Sequence, residues 1–224
     1  DLVILDTQNH IDYFTNELGI SHTNFQRVWV GADDQVFVAT TPPANTDVFH
    51  VLFVGKFIPL HGLPKLIEMA KSLESDPQVQ FTIIGTGQLH DEIHNQADKL
   101  DLQQTQFIDW IPYEELGQAM VSADLILGIF GDSDKSKRVI PNKLYQALAM
   151  SKAVLTANTP AAIELLIDNE NAFLCSADAA SIAKRIFEIK ADPQLLKAVS
   201  EKGKTLFDTE LGVAALGEQL VEIL

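Results

Sequence analysis

Cysteine is almost missing: Cys175 is the only one in 224 residues. A single thiol excludes an internal disulfide and a cysteine-built metal cage, and it suits a small, buried apolar position. That usage fits a reducing, cytoplasmic location. Cations are also scarce, with 16 lysines and arginines against 31 acids and a net charge of −15. A surface of that sign repels nucleic acid and anionic lipid, so neither is expected as a partner. No apolar run approaches the ~20 residues that a membrane span needs. The chain opens on Asp1 with neither methionine nor a signal pattern, which reads as a processed chain or a fragment. What remains is an ordinary globular composition, 46% hydrophobic and 21% charged, long enough for a substantial core.

The patterning is regular after a distinct opening. Residues 1–30 read as a strand, a helix and a second strand, "FQRVWV". Gly31 to Asp47, "GADDQVFVATTPPANTD", is rich in turn formers and prolines without helical period, and reads as a linker. From there short apolar runs alternate with helical stripes. "FHVLFV" precedes "GLPKLIEMAKSLES", whose Leu63, Leu66, Ile67, Ala70 and Leu73 make one face. "VQFTII", "TQFIDW", "DLILGIF", "AVLTA" and "AFLCS" are further strands, and the chain from Asp178 is helical in three pieces. Strands apolar on both faces and separated by helices predict an α/β fold, a parallel sheet with helices on both faces.

Ligands of such sheets sit beyond the carboxyl ends of the strands. There the scarce cations gather: Lys56 and His61 in "GKFIPLHG", and Lys135, Lys137, Arg138 and Lys143 in "GDSDKSKRVIPNK". Gly55, and Gly85 and Gly87 of "GTG", follow strands and would let a ligand approach the backbone. Asp109 and Trp110 close the third strand. A helix is expected over Pro141 to Met150, with Asn142 and Gln146 four apart on a polar face and Lys143 beside them. That helix start is either an anion site or a solvated surface. Taken together, the cations and glycine turns favour a phosphorylated ligand. His61 alone reads as a surface histidine. His90 and His94 sit four apart in "HDEIH", which is not the metalloprotease order; no third ligand is evident, so they read as a solvated helix. Glu114 and Glu115 read as first-turn acids.

"VLFVGKFIPLHGLPKLIEMAKSL", "FTIIGTGQL", "DLILGIFGDSDKSKRVIPNKLYQALAMSKAVL" and "VWVGADDQVF" resemble the retaining glycosyltransferases of the GT-B fold, family 4 and its relatives. The resemblance implies a Rossmann-like sheet that is one half of a GT-B fold. Residues 1–30 would be a remnant of the N-terminal acceptor domain, 31–47 a linker, 48–208 the nucleotide-sugar-binding domain and 209–224 a helix crossing back. It implies that Lys56 and Lys143 meet the donor diphosphate as catalytic cations. Gly55, His61, Gly62, Gly85, Gly87, Asp109, Trp110, Lys135, Arg138, Asn142 and Gln146 would surround the donor. Where the family carries paired glutamates with seven residues between them, this sequence has Arg138 and Gln146.

The implied activity is transfer of a sugar from a nucleotide-diphosphate sugar to the hydroxyl of a sugar or lipid-linked acceptor, with retention, as in polysaccharide biosynthesis. No cofactor or metal is required by that reading. The acceptor region is expected in a missing N-terminal domain, through which the protein would meet the membrane peripherally. Two alternatives stand beside it: a nucleotide-sugar-binding module inactive on its own, and a nucleotide-sugar epimerase on the same fold. A dinucleotide oxidoreductase lacks its glycine fingerprint here.

Overall fold

The computed structural model describes residues 2–21, 24–40 and 47–224. Two short strands, β1 (Val3–Leu5) and β2 (Phe25–Arg27), pair in parallel around helix α1 (Gln8–Asp12) as a separate small sheet. Thr7 caps α1 by accepting from the His10 amide at 3.1 Å. The stretch from Gly31 to Asp47 has no helix or strand among its described residues, and residues 41–46 lie outside them. It is nonetheless anchored, because Phe37 is buried and packs edge-on against Tyr113 at 5.6 Å.

The large sheet begins with β3 (Phe49–Val54), followed by α2 (Leu63–Leu73), β4 (Val79–Ile84), α3 (His90–Lys99) and β5 (Thr105–Ile108). The second half runs α4 (Tyr113–Val121), β6 (Leu125–Leu127), α5 (Asn142–Ala149), β7 (Ala153–Ala157) and β8 (Phe173–Cys175). Three helices, α6 (Ala179–Ala191), α7 (Pro193–Leu206) and α8 (Val213–Ile223), complete the chain. All pairings are parallel and the order is β5-β4-β3-β6-β7-β8. The chain thus winds outward from β3 in one direction, returns, and winds outward from β6 in the other. The loops after β3 and β6 part at that reversal and leave a crevice at the carboxyl edge.

Period-two alternation divides the core into two layers. Val51 and Phe53 of β3 join Leu66, Ile67 and Ile182 on one face. Leu52 and Val54 join Met120, Leu144 and Leu148 on the other. The α2 stripe is buried as expected, with Leu63, Leu66 and Ile67 at 0% exposure. Glu114 and Glu115 do occupy the first turn of α4. Cys175 packs against the first layer, half-buried, and burial pushes its thiol up to about 12. Lys152, also buried, donates to the Val121 and Ala123 carbonyls at 2.5 and 2.9 Å, and so ties β7 to the end of α4.

Ile67→Ala should remove about 2–5 kcal/mol of stability, whereas Glu68→Ala on the exposed face of α2 should stay within about 0.5 kcal/mol. Urea unfolding followed by circular dichroism measures both.

Candidate functional site

A cleft of about 520 Å³ opens at the carboxyl ends of β3, β4 and β5. Its wall includes Gly55, Lys56, Gly85, Thr86, Gly87, Asp109, Trp110 and Tyr113. The turns after β3 and β4 touch backbone to backbone. A Cβ built on Gly85, whose φ is +147°, would stand 1.9 Å from the Gly55 carbonyl oxygen, so no side chain fits there. Gly62 does the same on the other side of the crevice: at φ +71°, its Cβ would lie 2.5 Å from the Phe130 backbone. These two contacts hold the loops after β3, β4 and β6 against one another.

Lys143 enters this junction from α5. Instead of lying on a polar face beside Asn142, it is buried, at 5% exposure. Its Nζ donates to the Gly128 carbonyl at 3.2 Å and stands 3.6 Å from the centre of the Phe53 ring. A Cβ on Gly55 would be only 3.2 Å from that Nζ. Burial holds the Lys143 ammonium well below the usual lysine range. Asn142 is exposed and Gln146 half-buried on the same helix.

His61 corrects the expectation of a surface histidine. It is buried at 8% exposure, edge-on to Phe53 at 5.5 Å, with Nδ1 2.5 Å from the Lys56 carbonyl. That carbonyl is an acceptor only, so Nδ1 carries the proton and Nε2 is bare. Burial first, then the charge of Lys143, brings its pKa down to about 3, against the upward pull of the Lys56 carbonyl. Near neutrality His61 is therefore an uncharged acceptor and not a phosphate-binding cation.

Lys135 and Arg138, expected around the donor, are outside the cleft. Lys135 is exposed. The Arg138 guanidinium lies 3.7 Å above the Tyr13 ring, in a separate hollow that also includes Asp12, Glu17, Asp134 and Lys137. Thr7 fixes this loop by donating to the Arg138 carbonyl at 2.5 Å. The basic loop after β6 thus turns toward the first segment of the chain.

The cleft edge also corrects the reading that no third group stands near His90 and His94. Asp109 supplies the third group that His90 and His94 lacked in sequence, and one ligand atom from each lies within 4.8 Å of the others. The carboxylates of Asp91 and then Asp109 raise the His90 pKa above the usual histidine value. Thr86, Ile111, Tyr113 and Leu116 also line the cleft, and none was singled out in sequence. Their position just past β4 and β5 was the available signal.

Comparison with known proteins identifies the family and the fold. The model of the family "Glycosyl transferases group 1" matches residues 40–206. The chain belongs to this family. An uncharacterized glycosyltransferase of Methanocaldococcus jannaschii is 24% identical over 161 residues, 68% of this chain and 41% of that protein. Anabaena HepE, solved with UDP and glucose, superposes with a TM-score of 0.84 at 20% identity, over 99% of this chain and 62% of that one. Sucrose-phosphate synthase of Thermosynechococcus elongatus gives 0.83 at 19% identity, over 100% and 57%. The chain therefore spans about two fifths to three fifths of the length of these relatives. The fold is the Rossmann-like domain of GT-B glycosyltransferases, and the protein is a glycosyltransferase-family chain with the parallel six-stranded sheet of that architecture. Among the described residues no helix is long and apolar enough to cross a membrane.

The buried His61 gives this domain a pH signature. Above pH 6.5 the ring is neutral folded or unfolded. As pH falls from 6.5 toward 3, the unfolded chain takes up a proton that the folded chain refuses, so stability falls with acidification. The His61 contribution to that loss should be about 2 kcal/mol between pH 6.5 and 5. Urea midpoints of the native protein and His61→Gln should therefore diverge less at pH 5 than at pH 7.

Proposed function

We propose that the cleft holds the diphosphate of a nucleotide sugar, and that the domain serves transfer of the sugar to an acceptor hydroxyl with retention at the anomeric carbon. One observation carries the reading. In a protein of net charge −15, Lys56 lines the cleft and the Nζ of Lys143 lies under the adjoining Gly55 turn, beside the Gly85–Gly87 turn, at the reversal of the sheet. A small apolar-walled cleft with Lys56 on its wall, Lys143 buried beneath its glycine turn and close-approach glycines suits a phosphorylated ligand. The UDP complexes of HepE, which share this fold, support the same choice of donor.

The chemistry follows from charge. Breaking the bond between the anomeric carbon and the diphosphate oxygen leaves negative charge on the diphosphate. Lys56 at the mouth and Lys143 beneath the turn stabilise that charge in a site poor in water. The neutral Nε2 of His61 accepts a hydrogen bond, from a sugar hydroxyl in this reading. Gln146 stands where the family carries a glutamate for the ribose; it offers a hydrogen bond without the strength of a charge-assisted one. Cations and backbone amides suffice for the leaving group, so no metal enters the transfer step, and the leaving phosphate itself takes the acceptor proton. The acceptor would be a sugar or lipid-linked hydroxyl held by a further domain of the whole protein.

A second reading, a nucleotide-sugar-binding module inactive on its own, is favoured by the coverage. The cleft wall comes from this domain, while the structural relatives carry further chain. Closure against a second domain commonly completes such sites. Incubation of this chain with UDP-glucose and candidate acceptors decides between the two: a released glycoside supports transfer, and binding without turnover supports the module.

Lys143→Met should weaken UDP binding about thirtyfold or more, as expected for removal of a buried charge partner, and leave the thermal midpoint unchanged or raised. Calorimetry reads the first and a melting curve the second. Unchanged affinity in the variant would remove Lys143 from the site.

A further inference from the structure

We propose that His90, His94 and Asp109 form a transition-metal site of zinc type on the rim of the cleft. It shares Asp109 with the cleft wall, and its evidence stands without the transfer chemistry. His90 and His94 are one turn apart on the first two turns of α3, with ring centres 4.3 Å from each other. Histidines at i and i+4 project from one helix face and can share a metal. Asp109 comes from a different element, the loop just past β5. Its Oδ1 lies 3.4 Å from His90 Nε2 and 4.0 Å from His94 Nε2.

The spacing is close to what a metal needs. With bonds of about 2.0–2.2 Å, tetrahedral ligand atoms stand roughly 3.3–3.6 Å apart. The Asp109–His90 gap already fits, the 4.0 Å Asp109–His94 gap closes by a small rotation of the exposed Asp109 carboxylate, and every ligand atom lies within 4.8 Å of the others.

Three further features distinguish the cluster from an ordinary ion pair. First, the His90 Nδ1 faces the Asp91 carboxylate at 3.0 Å, which holds a proton on that nitrogen and leaves Nε2, 3.4 Å from Asp109 Oδ1, as the atom that would exchange its proton for a metal. A carboxylate behind a histidine is the usual outer support of a metal ligand. Second, the Nε2 of His94 is buried and has no hydrogen-bond partner. An ion pair between His90 and Asp109 gives that nitrogen nothing, whereas a shared cation satisfies it. Third, the rings are set by packing rather than by solvent. His90 and His94 stack on Phe57 at 6.2 and 6.4 Å, and His94 also meets Phe107 at 4.6 Å.

Two imidazoles and one carboxylate select a borderline metal such as Zn²⁺ over Mg²⁺ or Ca²⁺, which prefer all-oxygen shells. Three protein ligands leave at least one position for water or a ligand group. The negative field of the chain raises the local cation concentration.

Calorimetric titration of chelator-stripped protein with ZnCl₂ tests this directly. One equivalent should bind to the native chain. That binding should be lost in the double variant His90→Ala/His94→Ala and weakened about tenfold or more in Asp109→Asn. The three side chains are partly exposed, so the variants should keep the native circular dichroism spectrum. Co²⁺ substitution should give visible absorption bands of a four-coordinate site in the native protein only. Absence of stoichiometric zinc binding, or equal binding by the folded double variant, overturns the site.

Discussion

The Lys143 ammonium is the constraint on which the cleft depends. It is held out of water with a carbonyl and an aromatic ring for company, and no carboxylate within ion-pair distance among the described residues. A buried cation so poorly compensated costs stability. The surrounding turns are built around it. Gly55 must lack a side chain because Nζ and the His61 ring fill that space. His61 must be neutral because a second charge beside Lys143 would add repulsion to desolvation. Gly85 must lack one because the Gly55 carbonyl is there. On the proposed function, an anion in the cleft would supply the compensation that the folded chain withholds from the lysine.

The large sheet could be read from the amino acids because its strands bury both faces. Continuous apolar runs such as "VLFV" and "LIL" have no other comfortable state in a helix-alternating chain. The glycine turns were legible for the same reason, since they follow those runs directly. Lys143 was found but assigned to the wrong face. At the second position of α5 its side chain leans back past the helix start, into the crevice between β3 and β6, and not sideways beside Asn142. Helical periodicity says nothing about that lean. His61 was misread because its burial comes from a 3-10 turn, Pro59–His61, closed by the left-handed Gly62, which folds the ring back onto Phe53. Irregular turns carry no period from which burial can be inferred.

The two remaining discrepancies are tertiary in origin. Lys135 and Arg138 lie in a loop between Leu127 and Asn142, whose path is decided by the first segment of the chain. Thr7 and Tyr13 capture Arg138 from more than a hundred residues away. Asp109 meets His90 and His94 because β4 and β5 run side by side, with Ile84 opposite Ile108. The chain leaves β4 into the loop that begins α3, while Asp109 follows β5 on the adjacent track. Spacing in sequence hides that neighbourhood, and sheet register reveals it.

The small sheet and α8 raise a question of packing that the same reasoning answers. Gln219 of α8 donates to the Arg27 carbonyl at 3.1 Å, and Gly31 leaves no room for a Cβ against the Leu211 carbonyl and Leu216. The end of the chain is therefore seated on its beginning, although the main sheet lies between them in sequence. Among the described residues strand β1 pairs with β2 alone, and Val3 and Ile4 are 39% and 42% exposed. A two-stranded parallel pair has little independent stability. It persists here because Thr7, Asn9 and Tyr13 bind the loop after β6 and Glu164, and because α8 covers the turn after β2. The first segment is thus held by the same loop that ends at Pro141, the cap of the helix carrying Lys143.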